Sequence, residues 1–146
     1  MIVVRKAVPP EAQALAALDA QHAMSAGWNC SAFQSEFQQP QGLLLVAEAE
    51  GGLLGFVCAR VLPPEVQILN MAVGVSALRR GVATKLLSGL FALCRAEGCD
   101  SATLEARASN APALACYAKS GFRIVGKRPK FYNGTEDAVL MDAPLL

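Results

Sequence analysis

Histidine is nearly missing from this 146-residue chain: His22 is the only one. Cysteine is present but unpaired in pattern. Cys30, Cys58, Cys94, Cys99 and Cys116 are odd in number and contain no Cys-x-x-Cys. With one histidine and no such pair, the donors of a zinc-type site are lacking, and no metal is expected. In a reducing compartment these cysteines read as small core residues. Aromatics are scarce at 6%, so a core must be built from Ala, Leu and Val. The apolar fraction of 53% excludes a disordered chain. No apolar run reaches the ~18 residues of a membrane span. After Arg5 and Lys6, Pro9-Pro10 falls where a signal peptide needs its apolar stretch. The expectation is a cytoplasmic protein with no membrane partner.

Charge of one sign is also lacking, with a formal net of +1, so a nucleic-acid partner is not expected. The balance is uneven along the chain, however. Residues 1–77 carry three basic and six acidic side chains, a net of −3. Residues 78–130 carry ten basic and three acidic ones, a net of +7. That half suits a compact anionic ligand, or simply a solvated basic face. No repeat, linker or pattern break divides the sequence, and its length suits a single domain over 1–146.

The elements follow from periodicity and punctuation. Ile2–Ala7 reads as a strand, and Pro9-Pro10 opens a helix with Leu15 and Leu18 inward. A second helix is expected from Ser31, with Gln34 completing a capping box. Leu43–Ala47, Leu54–Val61 and Val66–Val73 read as strands, the first two joined by a Glu50-Gly51-Gly52 turn. A long helix is expected from about Leu78 to Glu97, burying Val82, Leu86, Leu87, Leu90, Leu93 and Cys94. Ala102–Ala106 is a strand. Asn110 or Ser109 caps a helix running to Ser120, with Pro112 in its first turn. Phe122–Gly126 and Ala138–Met141 are the last strands, separated by a polar loop. The order β-α-α-β-β-β-α-β-α-β-β implies a mixed sheet of about seven strands with about four helices on both faces, an α/β or α+β layered fold.

Four stretches could carry chemistry. Arg79, Arg80, Gly81, Val82, Ala83 and Thr84 open the long helix. A helix N-terminus with small residues and flanking cations can hold a pyrophosphate. The stretch lacks the Gly-Lys-Ser/Thr of a nucleotide loop and the G-x-G-x-x-G of a dinucleotide fold, and it also fits an ordinary helix start. Glu105 lies near the C-terminal edge of a strand, where ligands of layered folds collect. Asn110 and Tyr117, two turns apart, share one face of the short helix. Lys127 to Gly134, including Phe131 and Tyr132, suits a recognition lid or a plain hairpin turn on Asn133-Gly134.

Taken in order, Ile68-Leu69-Asn70-Met71-Ala72-Val73, then Arg79-Arg80-Gly81-Val82-Ala83, then Leu104-Glu105-Ala106-Arg107-Ala108-Ser109-Asn110, then Tyr117 and Gly121-Phe122, resemble the GNAT acetyltransferase superfamily. Within it the chain is similar to the RimI-type ribosomal-protein-alanine N-acetyltransferases, on Trp28 before Ser31-Ala32-Phe33 and on Phe131-Tyr132 followed by Glu136-Asp137-Ala138. The resemblance implies acetyl-CoA as cofactor, with coenzyme A as product. It implies a pyrophosphate loop over Arg79 to Thr84, and a strand edge at Met71, Ala72 and Val73 for the acetyl carbonyl and pantetheine. Asn110 and Tyr117 match coenzyme contacts, Glu105 the general base and Tyr117 also the general acid. The implied acceptor is a protein N-terminus, an alanine of a small-subunit ribosomal protein, with Trp28, Phe131 and Tyr132 as contacts. Leu78 stands where the family has Gln or Arg, Ala83 where it has a second loop glycine, and Gly27 where many members have proline. A different amine acceptor, a non-catalytic acyl-CoA sensor and an ATP-binding protein are the alternatives.

Overall fold

The run Leu43-Leu44-Leu45-Val46-Ala47 contains no polar residue to face water, so its strand must be covered on both sides. In the computed structural model, which describes residues 1–132, 134 and 136–145, this run is the heart of β2 (Gly42–Ala49). Leu44 and Val46 pack under α1 (Ala12–Asp19) and α2 (Cys30–Phe37), with Leu15, Leu18, Phe33 and Phe56. Leu45 and Ala47 face the other way, toward Leu86, Leu87 and Leu90 of α3 (Val82–Ala96). Helices therefore cover both faces, as the element order implied.

The remaining strands are β1 (Val3–Lys6), β3 (Gly52–Leu62), β4 (Glu65–Val73), β5 (Ser101–Arg107), β6 (Arg123–Tyr132) and β7 (Glu136–Pro144). A fourth helix, α4 (Ala111–Lys119), joins β5 to β6. The seven strands form one sheet in the order β1-β2-β3-β4-β5-β7-β6. Only β4 and β5 run parallel, and only from Glu65↔Ser101 to Ile68↔Leu104. β3 and β4 shift register between Cys58 and Ala59, where Leu69 is left as the extra residue of a bulge. Beyond Ile68 and Leu104 the two parallel strands are no longer paired. The layered class and all the sequence-read elements are present.

Four boundaries differ from the sequence reading. Helix α2 is capped by Asn29, whose Oδ1 accepts the Ala32 N–H at 2.9 Å, and no Ser31 box forms. Asparagine there offers its acceptor two residues earlier than the serine. Helix α3 begins at Val82 rather than near Leu78, because Arg79 (φ 65°) and Gly81 (φ 75°) are left-handed. Leu93 is 41% exposed, since the stripe through Val82, Leu86, Leu87, Leu90 and Cys94 already fills the contact. The expected loop at 127–132 is strand, because its backbone stays paired with β7 while its side chains face water. A bulge between Arg128 and Tyr132 accommodates Pro129 and Lys130. The hairpin turn read at Asn133-Gly134 falls on Asn133, which lies outside the described residues.

Gly55 on β3 has a steric cause. A Cβ there would stand 2.8 Å from the Ala72 carbonyl oxygen, closer than packed atoms approach.

Candidate active site

Where β4 and β5 part, a cleft of about 260 Å³ opens. Its walls come from β4 (Leu69, Asn70, Met71), β5 (Glu105, Arg107), α4 (Asn110, Tyr117), β6 (Tyr132) and the α1–α2 connection (Met24, Ser25). A larger hollow of about 370 Å³ near the C-terminal end of α3 has Lys6, Glu97 and the buried Cys94 thiol as its ionisable lining groups, with no catalytic constellation.

The β4 edge is open for a backbone reason. Gly74 N–H donates to Leu54 C=O at 2.7 Å, so Gly74 and Ala72 turn their amide groups toward β3. By alternation, Met71 and Val73 turn theirs toward the cleft. His22 reaches this edge from the α1–α2 connection, its Nε2 2.6 Å from the Val73 carbonyl oxygen. Gln21 Oε1 accepts the Val75 N–H at 2.7 Å. Asp19, fully buried, accepts from Trp28 N–H at 2.7 Å and from the Asn70 side chain at 3.1 Å. Three neighbouring side chains thus stitch the α1–α2 connection to β4.

At the start of α3 the chain passes from extended Leu78 through left-handed Arg79 and Gly81 into the helix. No side chain caps this terminus. The first helical bond is Lys85 N–H to Gly81 C=O at 3.0 Å, so the amides of Val82, Ala83 and Thr84 have no partner within the helix. Arg79, Arg80 and Gly81 are exposed beside them. This is the geometry and charge of an anion cradle.

Glu105 lines the cleft with its side chain 27% exposed, and its Oε1 meets Arg128 Nη2 at 2.9 Å. Arg107 bonds Glu136 at 3.2 Å and stacks over the Tyr132 ring at 4.4 Å. Ser109 donates to the other oxygen of Glu136. That bond, with help from Arg107, holds the Glu136 carboxyl below the usual range. Asn110 caps α4 through the Ala113 N–H at 3.4 Å. Two turns on, Tyr117 is 8% exposed and edge-on to Phe122. Burial pushes its phenol well above the ordinary value, with the neighbouring Cys116 and Tyr132 adding to the effect. At neutral pH it is a proton donor only. Tyr132 is shifted the same way, first by burial and then by the Glu105 charge. Burial also raises the Cys116 thiol, which makes a nucleophilic thiolate there unfavourable.

The fold thus brings Met71, Glu105, Asn110, Tyr117 and Tyr132 to one cleft. Ala72 and Val73 sit on the same strand, and Arg79 to Thr84 on the turn that follows it. Trp28 is turned away, packed edge-on to Phe33 at 5.4 Å, and Phe131 lies outside the cleft against Tyr132. Sequence reading placed Arg107, Arg128 and Glu136 in candidate stretches without giving them individual roles, and it missed Asp19 and His22, for which the sequence held no signal.

A family model described as the acetyltransferase (GNAT) family matches residues 14–122. The [ribosomal protein bS18]-alanine N-acetyltransferase of Escherichia coli (strain K12) is 31% identical over 128 residues, covering 86% of each chain. An N-alpha-acetyltransferase of Sulfurisphaera tokodaii is 31% identical over 126 residues, covering 77% of this chain and 75% of that protein. The crystal structure of the ribosomal-protein-S18-alanine N-acetyltransferase from Escherichia coli superimposes with a TM-score of 0.87 at 27% identity, covering 99% of this chain and 94% of that one.

Proposed function

From the fact that this chain belongs to the acetyltransferase (GNAT) family, we propose that it acetylates the α-amino group of a protein N-terminus, an alanine of a small-subunit ribosomal protein. It is an N-acetyltransferase of the N-alpha type, and enzymes of its family use acetyl-CoA. The observation that carries the finer reading is the meeting of Glu105, Asn110 and Tyr117 in the cleft between the parted β4 and β5.

The residues present fit the coenzyme. The uncapped amides of Val82, Ala83 and Thr84, with Arg79 and Arg80 beside them, suit a pyrophosphate, and the Met71 and Val73 amides suit the pantetheine and the acyl oxygen. Asn110 is a further contact. When bound, acetyl-CoA supplies an acyl carbon activated as a thioester.

The chain's own groups then divide the proton work. An α-amino group has a reference pKa of ~7.7–8.0 and is mostly protonated at neutral pH. Glu105 takes its proton, directly or through one water. The amine lone pair forms the new C–N bond, and the open β4 amides stabilise charge on the carbonyl oxygen. As the C–S bond breaks, Tyr117, buried and protonated, would give its proton to the departing sulfur, and its phenolate would take the second proton shed by the acylated nitrogen, so that the one net proton released is the one held by Glu105. Tyr132 from the lid side and Met24 and Ser25 from the α1–α2 connection flank the acceptor entrance. Trp28, packed on Phe33, and Phe131, packed on Tyr132, lie outside the cleft lining and would meet the acceptor beyond the entrance.

Calorimetry with acetyl-CoA, followed by turnover on an Ala-starting peptide, a polyamine and an aminoglycoside, tests the reading. Binding with transfer to the peptide alone is expected. Transfer only to a small amine would replace the acceptor, and binding without any transfer would make the chain a sensor.

A further inference from the structure

We propose that Arg128 is a positioning residue for the acyl transfer: it holds the Glu105 carboxylate from beside the cleft, aimed at the acceptor nitrogen. The proposal rests on the reading of Glu105 as the base.

Arg128 is on β6, and Glu105 on β5; β7 lies between them. Glu105, Leu140 and Gly126 form one row across the three strands, and Arg107, Ala138 and Arg128 form another two residues along, on the same face. The small Ala138 separates Arg128 from Arg107 on that row. Arg128 reaches diagonally over β7, and its Nη2 ends 2.9 Å from Glu105 Oε1. Arg128 does not line the cleft, whereas Glu105 does. The contact therefore comes from outside and leaves the cleft open. The closest approach of the ion pair is to Oε1. A carboxylate offers about four lone-pair sites, so the pair leaves sites for a proton.

Arg107 is not available for this task. It is taken up by Glu136 and by the Tyr132 ring. Arg128 is itself steadied by the Phe131 face, with its guanidinium carbon 5.0 Å from the ring centre. Its side chain is 54% exposed, a setting in which an ion pair adds little to stability. What such a pair can supply is geometry. Small misplacements of a catalytic group are costly in rate, which makes a fixed carboxylate worth having.

The test compares R128Q, R128K, E105Q and the double variant in the full chain. R128Q is expected to lower kcat about 10- to 100-fold, with acetyl-CoA affinity and unfolding midpoint nearly unchanged. R128K or added guanidinium should recover part of the loss. In the E105Q background, R128Q should cost nothing further. Unchanged kcat in R128Q, or an undiminished loss in the E105Q background, would overturn the proposal. Should R128Q lose its fold, R128K carries the same kcat-against-affinity comparison. A readout independent of turnover is the 15N spectrum of the Arg128 guanidinium, whose rotation should be slowed in the native protein and freed in E105Q. If no amine is acetylated at all, the functional reading fails, and this spectrum alone decides the placement of Arg128: free rotation in the native protein rejects it.

Discussion

The Asp19 carboxylate, at the end of α1, takes the side-chain N–H of Asn70 at 3.1 Å, one residue past the Leu69 bulge of β4. A helix end and a bulged strand are thereby locked together in a fully buried contact. The same Asp19 oxygen also holds the Trp28 N–H.

Asp19→Ala should therefore leave two donors without their acceptor. The expected loss is about 1–3 kcal/mol of unfolding free energy. Urea denaturation measures it, and a loss within experimental error would mean that the donors find other partners.

Gly81→Glu should weaken acetyl-CoA binding at least tenfold, about 1.4 kcal/mol. A carboxylate beside the uncapped amides of α3 would take the place of the anion. Gly81 is left-handed at φ 75°, so Gly81→Ala is the control that separates backbone strain from charge. Calorimetry on both variants checks it. Equal affinity of Gly81→Glu and the native chain would remove the turn from the coenzyme site.

Tyr117→Phe should reduce kcat by about 100-fold while leaving acetyl-CoA affinity close to native. Burial keeps the phenol protonated, so on the proposed mechanism the loss belongs to departure of the sulfur. Parallel losses of turnover and affinity would assign Tyr117 to binding.

Arg5 on β1 bonds Glu11 at 2.7 Å and Glu48 at 2.9 Å. The hydrogen bond from Arg5 is the main cause holding each carboxyl below its ordinary range. The folded chain then binds fewer protons there than the unfolded one. This stability is complete above the unfolded carboxylate value of ~4.3 and drains away as pH falls below it. The groups are partly exposed, so the effect is modest. Arg5→Gln should flatten the acid limb of the unfolding midpoint measured against pH, and an identical limb would reject the cluster as its source.

Much of this was legible in the residues because the relevant signals are local. Apolar runs and Gly/Pro punctuation marked every strand, and the 82-86-87-90-94 spacing marked the inner face of α3. Asn110 and Tyr117 could be paired because helical geometry relates residues seven apart. The bulge at Leu69 and the early end of β4–β5 pairing were not legible, since register is a property of two strands. Arg128 near Glu105 was hidden for the same reason: 23 positions of sequence and an intervening strand separate them. The chain from Lys127 to Tyr132 looked like a loop because its polarity matches one. An edge strand with solvated side chains has that polarity too, and its bulge, proline and lysines discourage pairing with foreign strands.

The parallel seam between β4 and β5 is only four rungs long. On one bank stand β4 and the uncapped turn into α3; on the other, Glu105, Tyr117 and Tyr132. Each bank is knitted internally by longer antiparallel ladders. On the proposed reading, far-bank substitutions that spare Asn110 and Tyr117 would retune which nucleophile is admitted while leaving the grip on the acyl donor to the other bank.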